Sequence, residues 1–344
     1  SSDLVPTSAT ASGRDGQTRL SSSLTIEHWS PSMKIRFWGA RGSLPTPLTP
    51  AKLRSKISSI IQRITPEDLE SQESRELFLA RLPDYLFSTV GGNTACVEVE
   101  TKENCRLVFD AGTGIRNLGQ EIVASKRAAT VHLFFSHFHW DHIQGLPFFA
   151  PAFDPRTRLS MYSPDPNLKE ILEGQMRAPY FPIGMDTMSA RKEFVRLEGL
   201  GVRLGEVQIR YRSMSHPGGC YSYAVEEDGK KAIYSTDTEL DPKDFDRTPE
   251  NESYFKGADA LIIDAQYTLG EAIEKQYWGH SSFSLAADFA ASWHIKRLVL
   301  FHHEPAYGDQ KIGSILKSAA WYLKHIEDRG IEVVLAREGV EIDV

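Results

Sequence analysis

Three histidines and an aspartate lie within six positions of the stretch FSHFHWDHIQG, residues 135–145. His137 and His139 are two residues apart, so an extended backbone can direct both imidazoles toward one ion at about 2.0 to 2.1 Å. Asp141 and His142 come after the expected turn and suit a second ion, because two-metal hydrolases hold their ions roughly 3.5 to 4 Å apart. A lone histidine is most often structural, but this spacing of four donors favours metal binding.

Further candidate ligands follow other apolar segments of the sequence. His216 follows the predicted strand at 207–214, Asp237 follows another strand, and either His302 or His303 follows a third. A carboxylate has two oxygens, so Asp237 could bridge two cations. Because polar residues recur directly after apolar strands, the pattern predicts a metal site along one edge of a sheet.

The elements that must position these residues alternate between strand and helix patterns. The predicted strands are an alternating segment opening at Met33, then CVEVET, CRLVFDAG, TVHLFFS, LSMYS, VQIRYRSMS, YSYAVEE, KAIYSTD, ALIIDAQ, RLVLFHH and IEVVLA. Short turns such as EEDGKK at 226–231 predict antiparallel hairpins within a mixed sheet. Helical spacing occurs at 115–126, 167–177, 282–294 and 309–328. This content predicts an α/β protein with a layered α/β/β/α sandwich.

Two segments differ from this core pattern. Residues 1–32 are rich in Ser and Thr, begin without methionine and lack a secretory apolar region, which predicts a disordered or trimmed segment before a domain spanning 33–344. Residues 51–86 have helical spacing and predict two helices, with TPED providing a helix start. These helices interrupt the strands, either as a cap or lid or as a dimerisation hairpin.

The composition excludes several classes of function. The chain has 344 residues, of which 41% are hydrophobic, and its longest apolar runs are far shorter than the roughly 20 residues that span a membrane. A net charge of −7 disfavours long nucleic acids, although a small anion could bind locally. Three cysteines without C-x-x-C spacing disfavour disulfides and thiolate metal sites. We therefore expect a cytoplasmic protein with a small-molecule substrate and no membrane partner.

Motifs from residue 33 to the C terminus carry a family resemblance. They are FWGARGSLPTP, GGNTACVEV, DAGTGIRNLG, SHFHWDHIQGLPFF, SHPGGCYSY, STDTE, DAQYT, WGHSS and LFHHEP. Together they resemble the metallo-β-lactamase-fold hydrolases, in particular the subgroup of ribonuclease Z-like and cyclic-nucleotide phosphodiesterase-like proteins. The resemblance implies a four-layer αββα sandwich with a short helical insertion, and it leaves both the substrate and a homodimer open.

The resemblance also implies roles for individual residues. Seven of them form the implied metal site: His137, His139 and His216 at the first ion, Asp141, His142 and His302 at the second, and Asp237 between the two. His302 is preferred to His303 because the last ligand of the family directly follows its strand. Asp110 matches a position that orients a ligand histidine, and its alternative role is to cap the following turn.

The sequence also suggests roles outside metal binding for His280, Arg41 and Tyr267. Phosphodiester-cleaving members of the family carry a histidine in a Gly-His-Ser segment, and His280 occupies that place, which implies a proton donor. A structural hydrogen bond is its alternative role. Arg41 and Tyr267 follow strands, and we expect a surface salt bridge and a packed ring rather than contacts to a substrate.

Hydrolysis is the natural use of two divalent ions, because they lower the pKa of a bridging water from about 15.7 to about 7 and so supply hydroxide. The leading hypothesis is a dinuclear metal-dependent phosphodiesterase acting on a small substrate such as a cyclic nucleotide. His280 would protonate the leaving oxygen, and Asp141 would help to orient the nucleophile. Zinc is the expected ion, with manganese or iron as alternatives, because imidazole and carboxylate suit all three.

Other functions stay open at this point. Hydrolysis of a thioester or a lactone would use the same fold but would need no histidine like His280. A non-enzymatic di-iron protein that binds or senses oxygen would use a similar set of ligands. Ribonuclease Z activity itself is not expected, because the sequence lacks a basic Gly/Pro-rich arm that could grip tRNA.

Overall fold

The computed structural model describes residues 33–102, 105–326 and 330–344. Its strands form two seven-stranded sheets, each part parallel and part antiparallel. The first sheet has the order β14-β1-β2-β3-β4-β5-β6, and the second has the order β13-β12-β11-β10-β9-β8-β7. The strands are β1 Met33–Gly39, β2 Cys96–Thr101, β3 Arg106–Phe109, β4 Thr130–Phe134, β5 Arg158–Ser163, β6 Arg191–Arg196, β7 Val202–Leu204, β8 Val207–Met214, β9 Cys220–Glu227, β10 Lys230–Ser235, β11 Ala260–Asp264, β12 Arg297–Phe301, β13 Glu332–Leu335 and β14 Glu341–Asp343.

Helices connect these strands. The α-helices are α1 Pro50–Ile61, α2 Gln72–Arg81, α3 Asp84–Phe87, α4 Ile115–Ala124, α5 Trp140–Ile143, α6 Leu168–Gln175, α7 Pro249–Phe255, α8 Leu269–Glu274, α9 Phe283–Ser292 and α10 Asp309–Ile326. Short 3-10 turns lie at Pro66–Leu69, Leu146–Phe148, Ala150–Phe153, Met185–Thr187 and Pro242–Phe245. Within the described part of the chain, none of these helices combines the length and the apolar composition needed to cross a bilayer.

Three apolar clusters define the layers of the domain. Strand β11 shows the principle, because it is buried along its whole length and its successive side chains enter different clusters. Ile262 packs between the two sheets, whereas Leu261 and Ile263 pack beneath α9 and α10. A third cluster joins α4 and α6 to the outer face of the first sheet. The predicted αββα sandwich is therefore confirmed.

The segment between β1 and β2 differs in detail from the expectation of two helices. It holds α1, α2 and the single turn α3. TPED forms only a 3-10 turn, in which Thr65 and Asp68 form a capping box. Helix α2 begins later, where the Ser71 side chain accepts from the backbone N–H of Ser74. The division of the chain at residue 33 stays a prediction, because residues 1–32 lie outside the described residues.

The topology brings several strand ends to one margin in each sheet. Strands β3 and β4 are parallel neighbours, and so are β10, β11 and β12. Strand β8 runs in the same direction as β10, because each is antiparallel to β9. The residues that follow the carboxyl ends of these strands therefore collect along shared edges, as the sequence pattern predicts.

Candidate metal centre and active site

The first group of candidate donors joins the loop after β4 to the loops after β8 and β10. Donor atoms of His137, His139, His216 and Asp237 all lie within 4.8 Å of one another. His216 Nε2 is 3.1 Å from His139 Nδ1 and 3.8 Å from Asp237 Oδ2. His137 Nε2 is 3.6 Å from the same carboxylate oxygen. Two donors on a tetrahedral ion, each about 2.1 Å from it, lie roughly 3.4 Å apart, so the spacing suits a single ion.

A second group shares the same carboxylate. Asp141, His142, Asp237 and His302 are all buried, and their donor atoms also lie within 4.8 Å of one another. His302 Nε2 is 3.2 Å from Asp141 Oδ2 and 3.2 Å from Asp237 Oδ1. His142 Nε2 is 3.4 Å from His302 Nε2. The structure thus brings together all seven residues assigned to metal binding, and the two oxygens of Asp237 face different groups.

One nitrogen in this cluster has no hydrogen-bond partner among the described residues. Nε2 of His137 is buried and unsatisfied, while Nδ1 of the same ring bonds to Ser136 Oγ at 3.0 Å. A buried polar atom without a partner is costly, and a cation coordinated at Nε2 would remove that cost. The donor set, its spacing and this orphaned nitrogen fit a pair of divalent ions.

In three of the histidines, a hydrogen bond from Nδ1 on the outer side of the ring directs Nε2 toward the cluster. His216 Nδ1 donates to the carbonyl of Gly279 at 2.8 Å, and His302 Nδ1 donates to Gln266 Oε1 at 3.1 Å. His142 Nδ1 donates to Asp110 Oδ2 at 2.8 Å. In each case Nε2 is the nitrogen that faces the cluster, an arrangement that metal sites commonly use.

Asp110 holds two of these rings at once. Its carboxylate accepts from the backbone N–H and the hydroxyl of Ser136, from the hydroxyl of Tyr234 and from His142. Because Ser136 Oγ in turn accepts from His137, the same carboxylate orients a ring in each donor group. The structure favours the orienting role for Asp110 over a simple turn cap.

Backbone geometry at the site is unusual for non-glycine residues. Asp110, Asp237 and His302 have φ of 62°, 39° and 59°, and each lies just after a strand. A side chain in this left-handed region costs about 1 kcal/mol or more, so the surrounding contacts must hold these residues in place. The turn re-aims each side chain from the pleat of the strand toward the cluster.

Burial and charge divide the histidines into two electrostatic types. Burial lowers the pKa of His137, His139 and His216, which keeps these rings neutral and able to donate a lone pair. Burial also acts to lower the pKa of His142, but Asp237 and the other carboxylates around it raise that pKa well above its ordinary value.

The carboxylates show the complementary effect. Burial acts to raise the pKa of Asp237, yet His142, His302 and His137 hold it well below the usual range. Burial likewise opposes ionisation of Asp141, but His142 and His302 outweigh it, so the pKa of Asp141 is also lowered. Both carboxylates are therefore ionised, which suits cation binding.

His280 lies beside the cluster and is paired with a further carboxylate, that of Asp264. Its Nδ1 donates to Asp264 Oδ2 at 2.6 Å, and its ring stacks on that of His302 with centroids 5.0 Å apart. Burial opposes protonation of His280, but Asp264 above all raises its pKa to about 9. Together with Asp141 and Asp237, His280 lines a cavity of about 370 Å³ at the donor cluster.

Three other expected residues take clear positions. His303 points away from the cluster, since its Nε2 donates to the carbonyl of Ala336 at 2.9 Å, and burial lowers its pKa to about 3. Tyr267 is buried and packs edge-on against His280, as expected of a packed ring. The surface salt bridge expected for Arg41 is wrong, because the side chain is buried and donates to three backbone carbonyls.

Four residues that sequence reasoning missed support the site. Asp264 pairs with His280, Gln266 holds His302, the backbone N–H of Ser43 donates to Asp141 at 2.7 Å, and Ser136 links two rings to Asp110. Asp264 ends the apolar segment ALII, so the pattern of a polar residue after an apolar strand could have found it. Ser136 follows the apolar segment TVHLFF in the same way, whereas the contacts of Gln266 and Ser43 carry no comparable signal, because they join residues far apart in sequence.

Comparison with solved structures identifies the fold. Two solved structures share the fold: the metallo-β-lactamase fold protein YhfI from Bacillus subtilis and a diphosphatase from the PhnP family. The first has a TM-score of 0.59 and 15% identity and covers 91% of this chain and 99% of its own. The second has a TM-score of 0.57 and 15% identity and covers 91% and 98%. These likenesses establish the metallo-β-lactamase fold.

Sequence comparison establishes the family. Residues 105–303, more than half of the chain, match the family described as Beta-lactamase superfamily domain. The chain is 25% identical to the ribonuclease Z of Natronomonas pharaonis over 268 residues, which cover 64% of this chain and 84% of that protein. The chain therefore belongs to the β-lactamase superfamily. The prediction of a hydrolase with ribonuclease Z-like relatives is confirmed.

Proposed function

We propose that this protein is a dinuclear metal-dependent phosphodiesterase that acts on a small phosphodiester such as a cyclic nucleotide. The observation that carries the proposal is the juxtaposition of two donor groups, joined through Asp237, with His280, which pairs with Asp264 and lines the cavity at these donors. His280 is the feature that separates phosphodiester cleavage from the other reactions open to this fold. Location in the cytoplasm, zinc as the ion and a homodimer stay predictions.

The residues divide the work of cleavage among them. Two divalent ions, when bound, supply a hydroxide nucleophile at neutral pH and neutralise negative charge on a phosphodiester. His137, His139 and His216 would hold one ion, Asp141, His142 and His302 the other, and Asp237 both. Asp141 is fixed by the backbone N–H of Ser43, which would help it to orient the nucleophile. These contacts preorganise the donors before the substrate arrives.

His280 would protonate the leaving oxygen. Nδ1 is engaged by Asp264, so Nε2 is the ring nitrogen that can give a proton to a group in the cavity. Asp264 is itself fixed, because it accepts from the backbone N–H groups of Gln266 and Thr238. A proton donor oriented in this way typically contributes about 10²-fold or more to the rate.

The proposal is tested with purified protein whose metal content is measured by elemental analysis. The substrate panel contains bis-p-nitrophenyl phosphate, cyclic nucleotides, a thioester and a lactone. We expect phosphodiester turnover, and we expect His280→Ala to lower kcat roughly 10²-fold while the metal content is kept. His325→Ala is the matched control, because it removes an exposed imidazole from the end of α10. Full turnover in H280A would refute the role of His280.

The same panel separates the other hypotheses. Thioester or lactone hydrolysis that is indifferent to H280A would replace the phosphodiesterase proposal. An iron-loaded protein without hydrolytic activity whose visible spectrum responds to oxygen would favour the di-iron alternative.

A second candidate is cleavage of RNA, which is supported by the name of the Natronomonas relative. The net charge of −7 weighs against a long RNA substrate. Adding a tRNA precursor to the panel tests this candidate, since a turnover that exceeds that of every small phosphodiester would favour it.

A further inference from the structure

A second cavity, separate from the donor cluster, lies between the inserted helices and the start of α10. Its volume is about 400 Å³, within the range of small-molecule sites. Helix α1 contributes one face to it, through Lys52, Lys56 and other residues spaced three or four apart. Helix α3 contributes Tyr85 and Leu86. We call this cavity the basic pocket.

The charge of the basic pocket opposes that of the whole protein. Its lining includes four cationic side chains and a single carboxylate: Arg41, Lys52, Lys56 and Arg63, with Asp309. The chain as a whole carries a net charge of −7. Cations gathered in a concave surface of a protein with the opposite net charge indicate a local site for an anion.

Several hydrogen-bond donors that line the basic pocket have no acceptor among the described residues. Lys52 and Arg63 form no ion pair with a carboxylate of the described residues, and Arg63, just after α1, donates only to the carbonyl of Ser59 in that helix. Arg41 is fixed by three carbonyls through Nε and Nη1, which leaves Nη2 without an acceptor among the described residues. The hydroxyl oxygen of Thr46 is buried and lacks a hydrogen-bond partner there. A bound anion would accept from these groups.

The carboxylate does not cancel this surplus. Asp309 accepts from Lys56 Nζ at 2.6 Å, from Thr89 Oγ1 at 3.0 Å and from the backbone N–H of Val90 at 3.1 Å. The negative charge of Asp309 is thus neutralised by Lys56, and its carboxylate also holds the chain before β2 in place. Lys56 also donates to the carbonyl of Ser88, so it is held in place as part of the wall.

The basic pocket is connected to the donor cluster by one short loop. After β1, Ser43 lines the cavity at the cluster and holds Asp141, whereas Thr46 and Pro47, a few residues later, line the basic pocket. Gly42 in the same loop lies against the ring of His302. An occupant of the basic pocket would therefore touch the loop that supports the second donor group.

We infer that the basic pocket binds a phosphate-bearing small molecule of the size of a nucleoside monophosphate. The phosphate contacts Lys52, Arg63 and Arg41, and the less polar part of the molecule lies against Tyr85 and Leu86. The phosphate belongs either to the substrate, at a distance from its reacting phosphodiester, or to a separate effector. The first possibility rests on the proposed function, and the second does not.

The test is calorimetric titration of the purified protein with adenosine 5′-monophosphate. The variant Lys52→Glu/Arg63→Glu reverses two exposed charges of the pocket, and we expect it to weaken binding at least tenfold. Arg54→Glu is the matched control, because Arg54 is exposed on α1 and lies outside the pocket lining. It should change the affinity less than twofold. Repeating the titration in His137→Ala separates binding at the pocket from binding at the metal centre.

Binding that persists in H137A and is lost in K52E/R63E supports the inference. Equal affinity in K52E/R63E and the wild type, or an equal loss in R54E, overturns it, whatever the outcome of the phosphodiesterase assays. Turnover of bis-p-nitrophenyl phosphate distinguishes the two sources. Competitive inhibition by adenosine 5′-monophosphate that vanishes in K52E/R63E identifies a substrate phosphate, and a change in kcat identifies an effector. Should K52E/R63E fail to fold, the single variants K52A and R63A carry the same test.

Discussion

Gly42 makes room for the imidazole of His302: a Cβ atom on Gly42 would lie 2.4 Å from both Nδ1 and Cε1 of that ring. The backbone of Gly42 does not lie in the left-handed region, so an alanine would meet a steric clash without backbone strain. The ring cannot retreat easily, because His302 is fully buried and bonded to Gln266. The position of the His302 ring in the second donor group therefore depends on the absence of a side chain at residue 42, which lies far away in the sequence.

We predict that Gly42→Ala displaces His302 and lowers both metal content and turnover, the latter at least tenfold. Elemental analysis and steady-state kinetics measure the two effects. Gly313→Ala is the control, because a Cβ at Gly313 in α10 meets open space and should leave both quantities unchanged. Wild-type metal content in G42A would mean that the ring can shift without losing the ion.

Asp110→Asn should weaken metal binding by about 10 to 100-fold. An amide has one oxygen instead of two. Its NH2 group would face hydrogen-bond donors that, in the wild type, bond to the second oxygen of Asp110. Competition with a chelator of known affinity measures the change. Tyr234→Phe removes only one of the donors to Asp110, so its effect should be clearly smaller.

Asp264→Asn should lower kcat through His280 alone. We expect a loss of roughly tenfold or more, because the amide no longer supports a proton on the ring. The double variant D264N/H280A should be no slower than H280A, since both changes disable one unit. Additive losses in that cycle would show that Asp264 acts separately from His280.

Trp140 is 83% exposed at the rim of the cavity that holds the donor cluster. An aromatic ring in this position can stack on a nucleobase, a contact worth about 1 to 3 kcal/mol. Trp140→Ala should therefore raise KM for a cyclic nucleotide about tenfold or more, with a smaller effect on kcat. Trp321→Ala removes an equally large exposed ring from α10, outside that cavity, and serves as the control. Equal KM values in the two variants would contradict a stacking role.

The elements missed at the sequence level share a physical cause. Strand β6 has the sequence RKEFVR and forms an edge of its sheet, where charged side chains face solvent and hide the apolar alternation. Strands β7 and β14 are only three residues long, and helices α7 and α8 are short as well. Central strands such as β11 and β12 were predictable because burial on both faces demands a continuous apolar run.

The sequence by itself determined which side chains could bind metal and roughly where the strands that carry them end. Imidazole and carboxylate chemistry, and the period of apolar residues, are local properties that can be recognised without knowing the fold. Only the tertiary structure decided that His302 rather than His303 faces the donor cluster, and that Arg41 is buried among carbonyls. It also decided that Asp264 is the partner of His280. Each of these outcomes depends on contacts between strands that lie far apart in the chain, and local sequence carries no record of which strands become neighbours.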